Sequence, residues 1–294
     1  MLAHPWTESR KGGLAAAIAY TAWGLFPLYF KILSAVPPLE VLAHRISWSA
    51  LLTLALVFSS GKGKELAQVF LDPRRLGGLA ASALCISFNW ACFIWAVSNG
   101  HTLDSSLGNF LYPLCAVFLG AVVLKERLNR RQGMAIALVC AGVAVLASGI
   151  GKIPWLVIAF PLSFVGYALL RKVVAVDALV GLAVETLLLT PFCLAYLALR
   201  PDGGAFFSGP APITLLLAFA GPLTAVPLVL FAYGARRLKF STLGVLQYLN
   251  PTIQMAVAVL AFGETFTRIH AVTFAFIWAG LALYTLPIGG AANR

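Results

Sequence analysis

The sequence predicts an all-α polytopic membrane protein whose ten transmembrane helices form two inverted five-helix repeats. Three observations carry that prediction. Of the 294 residues, 61% are hydrophobic and only 11% charged, with a mean hydropathy of +0.91, whereas soluble domains carry about 25% charged residues. Ten apolar runs are long enough to cross a hydrocarbon core of about 30 Å. A long stretch of the first half also returns in the second half at a fixed interval.

The ten runs cover residues 12–33, 38–60, 76–99, 104–124, 131–149, 153–173, 177–199, 212–235, 240–262 and 267–288. Their connections are short, leaving no room for a soluble domain. The polar start, His4 to Lys11, leads into an apolar run longer than a signal-peptide core and without a clear cleavage site, so a retained first helix is expected. Cys85, Cys92, Cys115, Cys140 and Cys193 all fall inside apolar runs without paired ligand spacing. They read as small buried apolar residues, and no metal or cofactor is expected.

The repeat is clearest in 103–128, LDSSLGNFLYPLCAVFLGAVVLKERL, and 242–266, TLGVLQYLNPTIQMAVAVLAFGETF. Pro113, Glu126, Ala141 and Gly142 recur as Pro251, Glu264, Ala279 and Gly280, each at an offset of 138. Leu107-Gly108 recurs as Leu243-Gly244 at an offset of 136, a two-residue slip before the proline. This reads as duplication of a half-protein, with repeats over 1–150 and 151–294.

The net charge of +11 does not point to nucleic acid, because the basic residues sit in short clusters between apolar runs. Basic clusters of that kind are topology signals. With both termini in the cytoplasm, 16 Lys and Arg fall on the inner side: Arg10, Lys11, Lys62, Lys64, Arg74, Arg75, Lys125, Arg127, Arg130, Arg131, Arg171, Lys172, Arg236, Arg237, Lys239 and Arg294. The outer side keeps four, Lys31, Lys152, Arg200 and Arg268, and Arg45 lies within the second segment. An odd number of helices per half makes the repeat inverted, an arrangement typical of secondary transporters with a site near the midplane.

Pro113 and Pro251 each lie about ten residues into their segments, where a proline removes a backbone hydrogen bond. They are expected to bend their helices beside a cavity and to serve opposite gates. Asn109 and Tyr112 flank the first; Gln247, Tyr248 and Asn250 flank the second. The alternative is ordinary kinking and interhelical hydrogen bonding.

Tyr20, Trp23 and Pro27 share one face of the first segment, with Pro27 a further expected hinge, and the third carries Asn89, Trp90 and Phe93. Deep aromatics with a polar handle suit a pocket for an amphipathic molecule, with packing as the alternative. His44 and Arg45 follow Glu40 in the second segment, with Arg45 about 10 Å inside. Intramembrane ionisable residues are functional candidates, for carboxylate recognition or gating; the alternative is a snorkelling cation paired with Glu40. Glu185 has comparable depth from the other side. Small residues at Ala137, Ala141, Ala275 and Ala279 suit close helix packing.

The sequence has no phosphate-binding loop, no HExxH and no catalytic triad at credible depth, which argues against an enzyme.

Several runs together resemble the RarD branch of the EamA-type drug/metabolite transporters. They are Trp23-Gly24 with Pro27-Leu28-Tyr29 and Lys31, His44-Arg45 with Trp48-Ser49, Asn89-Trp90 with Ile94-Trp95-Ala96-Val97, Ser105 to Gly108, Lys125 to Leu128, and Gln247-Tyr248 with Pro251-Thr252. The resemblance covers almost the whole chain. It implies a ten-helix carrier of the bacterial inner membrane, related to the YddG-type exporters of amino acids, including aromatic ones. Together these readings predict a secondary exporter of small amphipathic metabolites, foremost amino acids, working by alternating access. Its partners would be a small-molecule substrate and the lipid bilayer, with a homodimer left open and no nucleic acid expected. A chloramphenicol-type multidrug efflux carrier is the alternative substrate class; a passive channel or a non-transporting subunit is the alternative of another kind.

Overall fold

A computed structural model describes residues 5–123, 125, 129–151, 153–200, 203–235, 237–238, 242 and 246–285. Among them are helices and connecting turns but no strand. Glu126, Leu243, Gly244, Arg127, Lys152, Arg236, Lys239 and Arg294, named above for the repeat or the orientation, lie outside the described residues.

The chain runs through α1 (Pro5–Ile32), α2 (Pro38–Ser59), α3 (Gly63–Leu71), α4 (Pro73–Ser98), α5 (Thr102–Val123), α6 (Arg130–Ile150), α7 (Trp155–Val173), α8 (Ala178–Ala198), α9 (Ala205–Ser208) and α10 (Ala211–Ala235). It continues through α11 (Leu249–Ala256), a π-helical turn Val257–Ala261, and α12 (Arg268–Thr285). Seven of these, α1, α2, α4, α6, α7, α8 and α10, contain stretches long and apolar enough to cross a bilayer, and 249–261 and 268–284 are shorter apolar helices. The short amphipathic α3 was not foreseen; it buries Leu66 and Val69, exposes Lys64 and keeps Glu65 half-buried.

Local chemistry sets the helix ends. Pro38 and Pro73 start their helices, where a missing N–H costs nothing. Asp72 accepts from the Arg74 and Arg75 N–H groups, Asp177 from Leu179 and Val180, and Asn129 forms a capping box with Gln132. Gly151, at φ 68°, closes α6.

The successive long helices alternate direction. The described residues that join α1 to α2, α4 to α5, α6 to α7 and α8 to α10, with the segment 262–267, lie at one face of the bundle, here the first face; those that follow α2, α5 and α7 lie at the second. α2 packs between α8 and α10, α1 against α10 and α11, α7 against α4 and α5, and α6 against α12. Contact between α1 and α11 requires Gly24, where an added Cβ would meet Ile253 at 2.7 Å.

The burial pattern is that of a protein in an apolar solvent. Leu14, Leu51, Leu84, Phe192 and Leu215 are exposed, whereas Arg45, Asn89, Glu185, Thr224 and Gln254 are buried. An apolar exterior and a polar interior are stable only where the surroundings are lipid.

The two symmetric prolines stand in different local structure. Pro113 lies inside the continuous α5. Pro251 is the third residue of α11, after a turn at 247–248, rather than ten residues into a helix.

Candidate functional site

Arg45 sits on α2, seven residues past Pro38 and about 10 Å below its end. It is 5% exposed. Its Nε donates to Thr224 Oγ1 of α10 at 3.0 Å, and the Thr224 hydroxyl donates onward to the Ala220 carbonyl. The guanidinium lies 4.1 Å from the Trp90 ring centroid, with Phe30 at 5.5 Å and Phe26 at 5.9 Å. An aromatic box of this kind offsets part of the cost of burying a cation. The terminal nitrogens of Arg45 have no hydrogen-bond partner, and the side chain no carboxylate, among the described residues.

Glu40 is not the partner of Arg45, which removes the snorkelling pair. Its Oε1 accepts the Ala205 N–H, and Oε2 lies 3.4 Å from Arg200 Nε. His44 also parts from its neighbour: its ring stacks on Phe206 of α9 at 4.9 Å. Adjacent positions on a helix point about 100° apart, so one side chain reaches the interior and the other the α9 cover.

A second centre joins α1, α5 and α11. Gln254, 3% exposed, accepts from Asn109 Nδ2 at 2.9 Å and donates through Nε2 to Asn250 Oδ1 at 2.9 Å and to the Trp23 carbonyl at 3.4 Å. Tyr20, Trp23 and Phe231 form a ring cluster at 5.5 to 5.8 Å. The structure thus brings together Tyr20, Trp23, Asn109 and Asn250 of the expected set. Gln254 was missed, although it lies one turn beyond Asn250 on the same helix face. Thr224 and Phe206 gave no sequence signal, since a hydroxyl and a phenylalanine are ordinary in apolar segments.

Other expected residues are occupied by packing. Asn89 donates to the Phe160 carbonyl at 2.8 Å and Ser163 Oγ at 3.1 Å, tying α4 to α7. Phe93 packs on Phe30 and Phe160, and Tyr112 on Phe164 at 4.9 Å. Tyr248 stacks on Phe110 and lines a groove with Thr252 and Trp278, apart from Arg45. Gln247 lies half-buried in the turn before α11, and Pro27 is buried within α1. No group of His, Cys, Asp or Glu able to hold a metal occurs among the described residues.

Comparison with known proteins agrees with this architecture. Residues 10–148 match the EamA-like transporter family. An uncharacterized transporter of Pseudomonas aeruginosa is 44% identical over 97% of this chain and 96% of its own. Protein RarD of Escherichia coli is 40% identical, with 95% of each chain covered. A chloramphenicol-sensitive protein RarD of Pseudomonas aeruginosa is 32% identical over 94% of this chain and 93% of its own. A solved crystal structure superposes with a TM-score of 0.58 at 20% identity, covering 93% of this chain and 96% of that one, and so shares the fold. With this identity sustained over nearly its full length, the chain belongs to the RarD-like branch of the EamA-type drug/metabolite transporters and is a multi-pass membrane transporter.

Proposed function

We propose that the protein is a secondary exporter of small amphipathic metabolites bearing a carboxylate, with amino acids, including aromatic ones, as the leading substrates. The carrying observation is Arg45: a buried guanidinium held by Thr224 on one edge and by Trp90 on one face, its terminal donors unused. A planar fork in that condition suits bidentate recognition of a carboxylate. The aromatic side chains around it suit the apolar part of the same molecule.

The mechanism that fits is alternating access between two inverted repeats, 1–150 and 151–294, with both termini in the cytoplasm of a bacterial cell and the chain in its inner membrane. Helix adjacency supports the repeats. Exchanging α1, α2, α4, α5 and α6 for α7, α8, α10, α11 and α12, taken in order, turns the α1–α10 contact into α4–α7, α2–α10 into α4–α8, and α1–α11 into α5–α7, all of which occur. Polar ties between the halves lie at both faces. Glu264 accepts the Thr102 and Leu103 N–H groups at 2.8 and 2.7 Å on the first face, and Lys62–Asp177 and Arg237–Glu8 close at 2.6 and 2.9 Å on the second. Rocking of the halves would break one set and keep the other.

Uptake and counterflow by purified protein in liposomes, screened with labelled amino acids and with chloramphenicol, test this reading. Saturable uptake and counterflow of an amino acid are expected. Non-saturating flux would assign a channel, and transport of chloramphenicol alone would assign the multidrug efflux alternative.

A further inference from the structure

We propose that Glu185 is a proton-binding site that couples substrate export to proton entry, an inference that rests on the transport reading above. Glu185 lies on α8 with 1% of its surface exposed. Ser82 of α4 donates to its Oε1 at 2.5 Å, while Oε2 is buried without a hydrogen-bond partner. Arg171 of α7 is the adjacent cation, but its Nε stands 3.7 Å away. Its Nη2 is engaged with the carbonyls of Asp177 and Ala178 at 3.3 and 3.4 Å. The guanidinium occupies the space left by the missing side chain of Gly181, where an added Cβ would overlap it. The one cation near Glu185 among the described residues is therefore held on the α8 amino-terminal carbonyls, not locked on the carboxylate.

A buried carboxylate with one oxygen unsatisfied and its counter-charge held off is costly. A proton on Oε2 removes the charge. Withdrawing that proton gives Arg171 a reason to leave the carbonyls and pair fully with Glu185. The site therefore has two arrangements distinguished by one proton and one guanidinium position. The proton enters from one side of the membrane and leaves to the other, and no bond other than O–H forms or breaks. The other groups facing this carboxyl do not substitute for that role. Tyr167 of α7 is a neutral phenol within electrostatic reach of Glu185 and Arg171, and the hydrogen bond from α4 comes from the Ser82 hydroxyl. The ionisable residues of α2, Glu40, His44 and Arg45, lie toward its opposite end. Glu65 of α3 is bonded to the Asp177 N–H at the α8 cap.

The test uses the full-length protein in liposomes, and its first readout needs no substrate. The infrared difference spectrum between about pH 5 and pH 9 should contain the carbonyl stretch of a buried carboxylic acid, absent from Glu185→Gln and shifted but present in Glu185→Asp. The second readout is accumulation of labelled L-phenylalanine under a pH gradient. For one-to-one exchange each pH unit supports about a tenfold concentration ratio, which Glu185→Gln should reduce to about one. A wild-type spectrum without the band, or a Glu185→Gln protein that keeps it or still accumulates L-phenylalanine, overturns the proposal. A band lost in Glu185→Gln, with no L-phenylalanine transport by the wild type, sinks the amino-acid reading and leaves the proton site standing. If Glu185→Gln fails to fold, the Glu185→Asp band decides, since it must move while the other carboxyl bands stay.

Discussion

Arg45 and Glu185 hold matching positions in their helices. Leu42-Ala43-His44-Arg45 and Leu182-Ala183-Val184-Glu185 align at an interval of 140, and the continuous buried stretches around them are 40–46 and 180–186. Each ionic group takes one hydroxyl from a neighbouring helix, Thr224 of α10 for Arg45 and Ser82 of α4 for Glu185. α2 starts at the first face and α8 at the second, so a permanent cation and a titratable acid lie at similar depths from opposite ends. Arginine stays charged at any working pH, whereas a buried carboxyl can become neutral. That difference suits Arg45 to holding an anion and Glu185 to exchanging a proton.

Arg45→Ala should lower carboxylate-substrate transport by about 10- to 100-fold, the loss of charged hydrogen bonds worth about 1.5–3 kcal/mol. Arg45→Lys keeps the charge without the fork and should fall between. Methyl esters of the best amino-acid substrate should bind poorly to the native protein and no worse than the free acid to Arg45→Ala. An ester that binds the native protein as well as the acid does removes the carboxylate role.

Gln254 bridges Asn109, Asn250 and the Trp23 carbonyl, so Gln254→Leu leaves several buried polar groups without partners. A stability loss of about 1–3 kcal/mol is expected, seen as a lower melting temperature of the purified protein. An unchanged melting temperature would mean that water or rotated amides replace the glutamine.

The all-helical, membrane-spanning character was legible in the sequence because lipid imposes long apolar runs: α2, α4 to α8, α10 and α12 end within about three residues of those runs, whereas α1 starts seven residues before its run and a turn at 247–248 breaks the run 240–262 ahead of α11. Interior ionic groups were legible for the same reason: Arg45 and Glu185 interrupt apolar helices, and a charge in lipid must have a purpose. Their partners were not. Glu40 stands one helical turn from Arg45, which makes it look like a counter-ion, yet it is held by Ala205 and Arg200 of a connection 160 residues away. The amide network was half legible, since Asn109 and Asn250 stand beside repeated prolines while Gln254 does not. α3 escaped because nine residues of mixed character do not register against bilayer-length segments.

Asp177 caps α8 and pairs with Lys62 at 2.6 Å. Burial opposes its charge, but the Lys62 ammonium and the Leu179 and Val180 N–H groups outweigh this and hold its pKa below the ordinary 3.8. The folded state thus binds the proton less tightly than the unfolded chain. The stabilisation is complete above about pH 5 and is lost as pH falls through the unfolded and then the depressed value. Asp177→Ala should cost about 1 kcal/mol at neutral pH, mostly through the lost cap because the ion pair is a third exposed. The gap in melting temperature between wild type and variant should be constant from about pH 8 to 5 and close at lower pH; a gap that widens there contradicts the assignment.

The proposed orientation puts the first face in the periplasm. A cysteine at Asn99, an exposed position beside His101, should react with an impermeant maleimide applied to intact spheroplasts, and one at exposed Ser60, near Lys62, only after permeabilisation. The reverse pattern inverts the orientation and exchanges the gates.

The prolines carry a mechanical prediction that the structure makes asymmetric. Pro113 interrupts the continuous α5, where its ring lacks the N–H that would bond the Asn109 carbonyl one turn earlier. Pro113→Ala restores that bond, straightens α5 and shifts Asn109 against Gln254. Pro251 lies in the first turn of α11, where the N–H would be unpaired in any case. Pro251→Ala therefore removes little beyond packing, because the bend in this segment already lies in the turn at 247–248 and the π-helical turn at 257–261. In a two-state carrier a change of about 1.4 kcal/mol shifts the ratio of outward- to inward-open forms tenfold. Alkylation of single cysteines at Asn99 and Ser60 reads that ratio from both faces. Pro113→Ala should change the two rates in opposite senses by several-fold, while Pro251→Ala leaves both within about twofold of the native values. Equal and opposite shifts from the two substitutions would restore a symmetric pair of hinges and set aside the asymmetry seen between α5 and α11.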